Sequence, residues 1–277
     1  LFSQKDLMTK NQDNLVVDPA IKLDFCHMTS VPPFMTKMED IVKEHKWFLD
    51  VIRRQKRHEI QIGFGLQSPP EDATVADIAR LEGMLIDLMG IAYEMENVYG
   101  GGFATPDAPL TEKGRWLLNA MADANIVLDL SHAGHQTARD AIEYIVNKNL
   151  SLKVVATHTA CHAVYDHRRN LPDDVLKGIA DLGGVIGLAT ATFMLHSTNN
   201  TLEPFHDHLQ HLLKVVGADH VAIGTDGIYR TMDVEEGQKL FQMMKEKIDP
   251  RGNFQARYPD QPLEINRPDR ITIIERE

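Results

Sequence analysis

Two stretches of the sequence end an apolar run on a histidine. The run Val127–Leu130 reads as a buried strand followed by Ser131 and His132, and the run 154–157 is followed directly by His158. The C-terminal ends of parallel strands meet at one rim of a barrel, so we expect both imidazoles to face a shared pocket. Neutral imidazole is a common ligand of Zn²⁺. These two strand ends therefore predict a metal site.

Carboxylates end two further strand-like runs. Asp226 follows VAIGT and Asp18 ends LVVD. Together with His132 and His158, Asp226 completes an ordinary ligand set for Zn²⁺, and Asp18 is a fourth candidate ligand. For Asp18 the alternative is that an aspartate after a first strand caps the next turn. A bound divalent ion lowers the pKa of its water to about 7 and polarises a carbonyl, which amide hydrolysis requires.

Arg169 is the candidate for binding the substrate. It belongs to the pair Arg168-Arg169, which precedes NLPDD in a predicted loop. A guanidinium at a barrel mouth can bind a carboxylate through two parallel hydrogen bonds, and a surface salt bridge is the alternative. His135 and His162 each lie about one turn beyond a candidate ligand, so we interpret both as structural.

These residues need a scaffold of alternating strands and helices. The predicted strands are short, apolar and rich in Val and Ile, as parallel strands covered on both faces are; they lie at 14–18, 59–66, 90–95, 126–132, 153–159, 184–190 and 220–226. Amphipathic stretches between them predict helices at 36–57, 74–89, 111–125, 135–149, 172–182 and 204–217. We predict an α/β fold, a (β/α)8 TIM-type barrel in one domain over residues 1–277, with an irregular C-terminal extension from about 249. An open doubly wound sheet is the competing architecture.

The composition excludes several classes of partner. A formal net charge of −11 without a cluster of Lys and Arg argues against nucleic acid and anionic membrane surfaces. No apolar run approaches the 18 residues of a membrane-spanning helix. We expect a soluble protein without a membrane anchor, and the compartment stays open between the cytoplasm and a periplasmic or secreted location.

Three stretches resemble the membrane (renal) dipeptidase family, the M19 metallopeptidases. They are APLTEKGRWLLNAMADANIVLDLSHAG, THTACHAVYDHRRNLPDDVLKGIADLGGVIGL and DHLQHLLKVVGADHVAIGTD. The resemblance implies a (β/α)8 barrel with a two-zinc site that cleaves dipeptides ending in a free carboxylate. It also implies that His132 and His158 hold the second zinc, that Arg169 binds the substrate carboxylate, and that Asp226 is the catalytic aspartate. A homodimer is expected on the same basis.

The sequence departs from the family pattern at the first zinc. The family's first strand normally ends in D-G-H-x-D, whose His and Asp hold that ion, whereas this chain reads VVDPAIKLD. Asp18 remains, but Ala20 and Lys22 stand in the places of the two ligands. An alanine cannot bind a metal, and a lysine ammonium repels one.

The bridging position and a substrate contact also differ. The glutamate that bridges the two metals in the family is replaced, in IGFGLQS, by Gly65 or, with a gap, by Gln67. A substrate-contacting histidine is replaced by Tyr93. We therefore expect Zn²⁺ as the cofactor, with one ion favoured over two.

The leading hypothesis is a metal-dependent hydrolase that cleaves a dipeptide or a related small amide bearing a free carboxylate. The alternative is a non-hydrolytic or metal-free descendant, acting as a tailoring enzyme or a binding protein for a peptide-derived small molecule. A lactonase or deaminase of the amidohydrolase type is a weaker third option, because such enzymes generally keep an H-x-H at the first strand and this chain has none.

Overall fold

The computed structural model describes residues 25–54, 61–227 and 234–262. In these residues strands and helices alternate along the chain. The strands are β1 Phe25–Thr29, β2 Gln61–Leu66, β3 Ile86–Gly90, β4 Val127–Asp129, β5 Val154–Thr159, β6 Ile186–Leu188 and β7 Val221–Ile223. The helices are α1 Met38–Arg54, α2 Val75–Glu82, α3 Glu112–Asp123, α4 His135–Lys148, α5 Asp173–Asp181, α6 Thr192–Leu195, α7 Glu203–Val216 and α8 Val234–Ile248, with a 3₁₀ turn at Ala218–His220.

The seven described strands form one parallel sheet in the order β1 to β7, curled into a half-barrel. Each strand pairs with the next one along the chain, and helices make most of the crossovers. Sequential parallel order is the mark of a (β/α) barrel, whereas a doubly wound sheet reverses its order at a switch point. The predicted α/β barrel-type class is confirmed, and the doubly wound alternative is wrong.

The strands form where the sequence is apolar on both faces. Leu128, Val154 and Ile186 are each at most 1% exposed, as expected when helices cover one face of a parallel sheet and the barrel interior covers the other. On the outer face of β2, the ring of Phe64 packs edge-on against Phe48 of α1. Packing of the helices against the sheet holds the strands, and with them the positions of their ends.

Two of the predicted elements around β3 are wrong. The third strand was predicted at 90–95 but lies at Ile86–Gly90, and the helix predicted at 74–89 ends at Glu82. The helix stops early because Gly83 follows it and Leu85 adopts the left-handed region, at φ 69°, which reverses the chain into the strand. Tyr93 consequently lies in the loop that follows the strand.

Other differences concern the ends of the chain. The strand predicted at 14–18 lies outside the described residues. Strand β1 and helix α8 were not predicted. The alternating burial of Phe25–Thr29 is not a continuous apolar run, which explains the first omission.

Residues 249–262, which we call the C-terminal strap, follow α8 without helix or strand and run across the loop after β6. The Arg257 guanidinium donates to the main-chain oxygens of Thr192 at 2.9 Å and Ser197 at 3.1 Å. The Thr192 N–H donates to the Asp260 carbonyl at 2.9 Å. The strap therefore lies at the rim of the sheet where β6 ends. None of the helices in the described ranges is long and apolar enough to cross a membrane.

Candidate active site

The imidazoles of His132 and His158 meet at the rim of the sheet. Their Nε2 atoms lie 2.9 Å apart, and the two residues are 3% and 7% exposed. His132 follows the end of β4, and His158 is the next-to-last residue of the neighbouring β5. Adjacent parallel strands therefore bring together two side chains that lie far apart in the chain, as their sequence pattern predicted.

Gln67 is the third group at this point. Its side-chain amide nitrogen lies 3.3 Å from His132 Nε2 and 3.5 Å from His158 Nε2. The sequence left two residues for this position, Gly65 and Gln67. Gly65 lies beside the ring of His27, and a Cβ added at Gly65 would come within 2.5 Å of that ring. The Gln67 Oε1 atom is buried without a hydrogen-bond partner among the described residues. Rotation of the amide exchanges its oxygen and nitrogen, so Gln67 can present either one to the imidazoles.

Asp226 reaches the site from β7, the last strand in the order of the described sheet. It follows β7, its Oδ1 lies 4.0 Å from His158 Nε2, and its side chain is 12% exposed. Its backbone adopts the left-handed region at φ 50°. Such conformations are uncommon outside glycine and concentrate at functional sites, where the surrounding structure holds them.

Arg169 lies under the two imidazoles rather than at an open surface. It is 1% exposed, and its guanidinium donates to the Ser131 carbonyl through Nη1 and to His132 Nε2 through Nη2, the latter at 3.2 Å. Its Nε–H has no hydrogen-bond partner in the described residues. Burial lowers the pKa of Arg169, and the nearby Asp226 carboxylate opposes that effect. A substrate carboxylate would reach only the donors that the protein leaves unused.

Tyr93 covers the other face of His132. The two rings are stacked, with centres 4.2 Å apart and planes 26° from parallel. The Tyr93 hydroxyl is buried without a hydrogen-bond partner in the described part of the chain, and burial followed by the charge of Asp226 raises its pKa. Phe254 of the C-terminal strap lies 5.6 Å from the Tyr93 ring and 4.4 Å from the Phe103 ring. Three aromatic rings therefore enclose His132.

Burial keeps the two imidazoles neutral. It lowers the pKa of His132 well below its usual value, and the Arg169 guanidinium adds to the effect. It also lowers the pKa of His158, although Asp226 acts in the opposite direction. Neutral imidazole is the form that binds a metal, because protonation removes the lone pair.

The structure describes only some of the other residues singled out in the sequence. Asp18, with the neighbouring Ala20 and Lys22, lies outside the described residues. His135 and His162 pack edge-on against each other at 5.0 Å, and His135 Nε2 contacts the Asn170 carbonyl. Sequence reasoning missed Phe254, because the polar composition of its segment gives no signal that one of its rings reaches His132.

The donor set fits one divalent ion. A tetrahedral zinc ion with bonds of about 2.0–2.1 Å separates its ligand atoms by about 3.3 Å. The distances around His158 Nε2 are 2.9 Å to His132, 3.5 Å to the Gln67 amide and 4.0 Å to Asp226. No three His, Cys, Asp or Glu side chains of the described ranges are close enough to hold an ion by themselves. With its amide rotated so that Oε1 faces the imidazoles, Gln67 would supply a third donor, and Asp226 would be the candidate for a fourth.

Comparisons with known proteins identify the family of the chain. The family model for membrane dipeptidases, peptidase family M19, matches residues 35–252. The uncharacterized dipeptidase C965.12 of Schizosaccharomyces pombe is 25% identical over 177 residues, which are 61% of this chain and 41% of that protein. The chain thus spans less than half the length of this relative.

Solved structures show the same fold. The structure of dipeptidase AC, a metallopeptidase of family M19, is 22% identical, with a TM-score of 0.66 over 93% of each chain. A metallopeptidase from Rhodobacter sphaeroides, bound to a phosphinate mimic of the dipeptide L-Ala-D-Ala, is 20% identical, with a TM-score of 0.62 over 92% of this chain and 93% of that one. The family match covers most of the sequence and the fold agrees with it. The chain belongs to the membrane dipeptidase family, peptidase family M19.

Proposed function

We propose that this protein is a metal-dependent hydrolase that cleaves a dipeptide or a related small amide bearing a free carboxylate. One observation carries the proposal: two neutral imidazoles, an amide and a carboxylate converge beside the buried Arg169 guanidinium. The relatives named as dipeptidases support the reaction class.

The ion would be held by His132 and His158, with Gln67 and Asp226 as further ligands. We propose one Zn²⁺ rather than two. A pair of bridged cations needs an anionic bridge, and Gln67 offers only a neutral amide between the imidazoles. When bound, such an ion lowers the pKa of water and polarises the amide carbonyl.

Side chains of the protein would transfer the proton, bind the substrate and exclude water. The Asp226 carboxylate accepts the proton of the attacking water while the new C–O bond forms, and it returns that proton to the amide nitrogen as the C–N bond breaks. The free donors of Arg169 hold the substrate carboxylate and thereby fix the position of the scissile bond. Tyr93 and Phe254 limit the access of bulk water to His132.

The alternative, a metal-free tailoring enzyme or binding protein for a peptide-derived small molecule, has one observation in its favour. The Arg169 guanidinium donates to His132 Nε2 at 3.2 Å, so a cation already occupies one side of a nitrogen that a metal needs. In that case Arg169 and Gln67 together would take the place of the ion and bind an anionic group.

Metal analysis of the full chain separates the two functions. The protein is loaded with Zn²⁺, Co²⁺ or Mn²⁺, freed of unbound metal and analysed by mass spectrometry, and then assayed with Xaa-D-Ala and Xaa-Gly dipeptides. We expect about one equivalent of metal, and hydrolysis that is lost in His158→Ala but kept in the surface control Phe34→Ala. Less than about half an equivalent of metal, with no cleavage, would favour the binding protein.

The oligomeric state stays a prediction. A homodimer is expected from the family resemblance, and light scattering of the full chain measures it directly.

A further inference from the structure

A buried carboxylate lies behind His158, on the side away from the metal donors. Asp129, the last residue of β4, is 5% exposed. It accepts main-chain N–H bonds from Ser131 and Thr157, both at 3.0 Å. It also accepts hydroxyl bonds from the same two residues, both at 2.6 Å. The single hydrogen of each hydroxyl is therefore directed to Asp129.

This arrangement decides the tautomer of His158. The Thr157 hydroxyl oxygen lies 2.7 Å from His158 Nδ1. Because its only hydrogen points to Asp129, this oxygen can only accept, and His158 Nδ1 must carry the proton. A neutral imidazole protonated at Nδ1 has its lone pair at Nε2. That atom is the one that faces His132 and Asp226.

The same contacts fix the orientation of the ring. The His158 main-chain N–H donates to the Ser131 hydroxyl at 3.0 Å. Ser131 follows β4, and His158 belongs to β5, so the hydrogen bonds join two neighbouring strand ends. The imidazole is held on one side by its own backbone and on the other by Thr157, which leaves Nε2 pointing into the site.

We infer that Asp129 and Thr157 are positioning residues that hold His158 as the Nδ1–H tautomer and keep the Nε2 lone pair directed into the site. The inference deepens the proposed function, because it names the groups that prepare a ligand nitrogen. It rests on contacts among the protein's own groups and not on catalysis.

The lone pair on His158 Nε2 faces a second acceptor nitrogen, that of His132. The Arg169 Nη2–H donates to His132 Nε2 at 3.2 Å, so that nitrogen also acts as an acceptor. Two acceptor nitrogens then face each other at 2.9 Å without a proton between them. Such a pair is repulsive by itself and becomes favourable when a donor or a cation lies beside both nitrogens, and the Gln67 amide nitrogen lies 3.3 and 3.5 Å from them.

The tautomer can be read directly by nitrogen NMR. The metal-free full chain is labelled with ¹⁵N in its histidine rings, and the His158 signals are identified by their loss in His158→Gln. We expect a protonated Nδ1 and an unprotonated Nε2. In Thr157→Val the acceptor is lost, so the Nε2–H tautomer should become populated. Thr157→Ser should restore the original tautomer, and the matched control Thr201→Val, in the loop before α7, should leave it unchanged.

Zinc binding gives a second measurement. Titration with Zn²⁺ alone should show about 10- to 100-fold weaker binding in Thr157→Val and Asp129→Asn, the usual effect of removing a group that orients a metal-binding histidine. Thr157→Ser should bind zinc nearly as the unmodified chain does. If Thr157→Val does not fold, Thr157→Ala removes the same hydroxyl without adding a methyl group.

The outcomes separate this inference from the proposed function. A protonated Nε2 on His158 in the unmodified chain, or an unchanged tautomer in both Thr157→Val and Thr157→Ala, would overturn the inference even if the enzyme cleaves dipeptides. The expected tautomers in a chain that cleaves no amide would support the inference and count against the hydrolase.

Discussion

The ring of Tyr93 lies parallel to the imidazole of His132, 4.2 Å from it, and covers the face that the strands leave open. Tyr93 stands in the loop after β3, whereas His132 follows β4. The stack therefore joins two strand ends in addition to shielding a candidate metal ligand. The hydroxyl group plays no part in this contact, because it is buried without a partner in the described residues.

Tyr93→Phe and Tyr93→Ala should accordingly have different effects. Removing an unpaired buried hydroxyl should leave the free energy of unfolding unchanged or raise it by about 1 kcal/mol. Removing the ring should lower it by about 3 kcal/mol, since the contacts with His132 and Phe254 are lost. Urea denaturation of the two variants measures both values. An equal loss in Tyr93→Phe would mean that the hydroxyl has a partner.

Arg169→Lys should weaken substrate binding selectively. A lysine has no planar guanidinium to contact Ser131, His132 and a carboxylate at once. We expect KM for a free dipeptide to rise at least about 30-fold, equivalent to about 2 kcal/mol, with a smaller change in kcat. The amidated form of the same dipeptide is the control, because it lacks the carboxylate and should be affected little. Equal effects on both substrates would assign Arg169 to the fold alone.

Acid should destabilise the protein through its buried histidines. Burial lowers the pKa of His167 and of His208 to about 4. Between about pH 6.5 and pH 4 the unfolded chain binds more protons than the folded one, so stability present above pH 6.5 is lost as the pH falls, by up to about 3 kcal/mol per histidine.

His208→Gln tests the sign of this dependence. The Cys161 N–H donates to His208 Nδ1 at 3.0 Å, and His208 Nε2 contacts the Leu195 carbonyl at 3.1 Å, which the glutamine amide can partly replace. The variant should be less stable at pH 7 but lose stability more slowly toward pH 4. Urea unfolding at a series of pH values gives the slopes, and parallel slopes would exclude His208 as a source of the acid sensitivity.

Arg257→Ala should loosen the C-terminal strap without affecting β4 or β5. The guanidinium binds main-chain oxygens of Thr192 and Ser197, which hold the strap against the loop after β6. We expect faster hydrogen–deuterium exchange in residues 249–262 and unchanged exchange in Val154–Thr159. Gln255→Asn, at an exposed position of the same strap, is the matched control and should exchange as the unmodified chain does.

The strand ends were predictable because local sequence determines them. The apolar runs before His132 and His158 are buried or half-buried throughout, so a polar residue at their end is expected to turn toward the rim. Asp226 also follows an apolar run, although Ala222 and Ile223 of β7 are exposed in the described structure. The distances between these groups depend on the relative placement of strands, which a sequence pattern does not contain.

The groups supplied by less regular segments were not predictable. The choice between Gly65 and Gln67 depended on where β2 leaves the sheet, and the position of Tyr93 depended on the left-handed turn at Leu85. The strap was expected to be irregular, but nothing in its polar composition indicated that Phe254 would reach the ring of His132.

The place of Phe254 late in the chain has a consequence for biosynthesis. The ribosome releases both imidazoles and the rings of Tyr93 and Phe103 before it releases the strap, so Phe254 is the last of the three rings to reach His132. We expect a metal ion to load faster before Phe254 arrives than into the finished molecule, in which the Phe254 ring also lies beside His132.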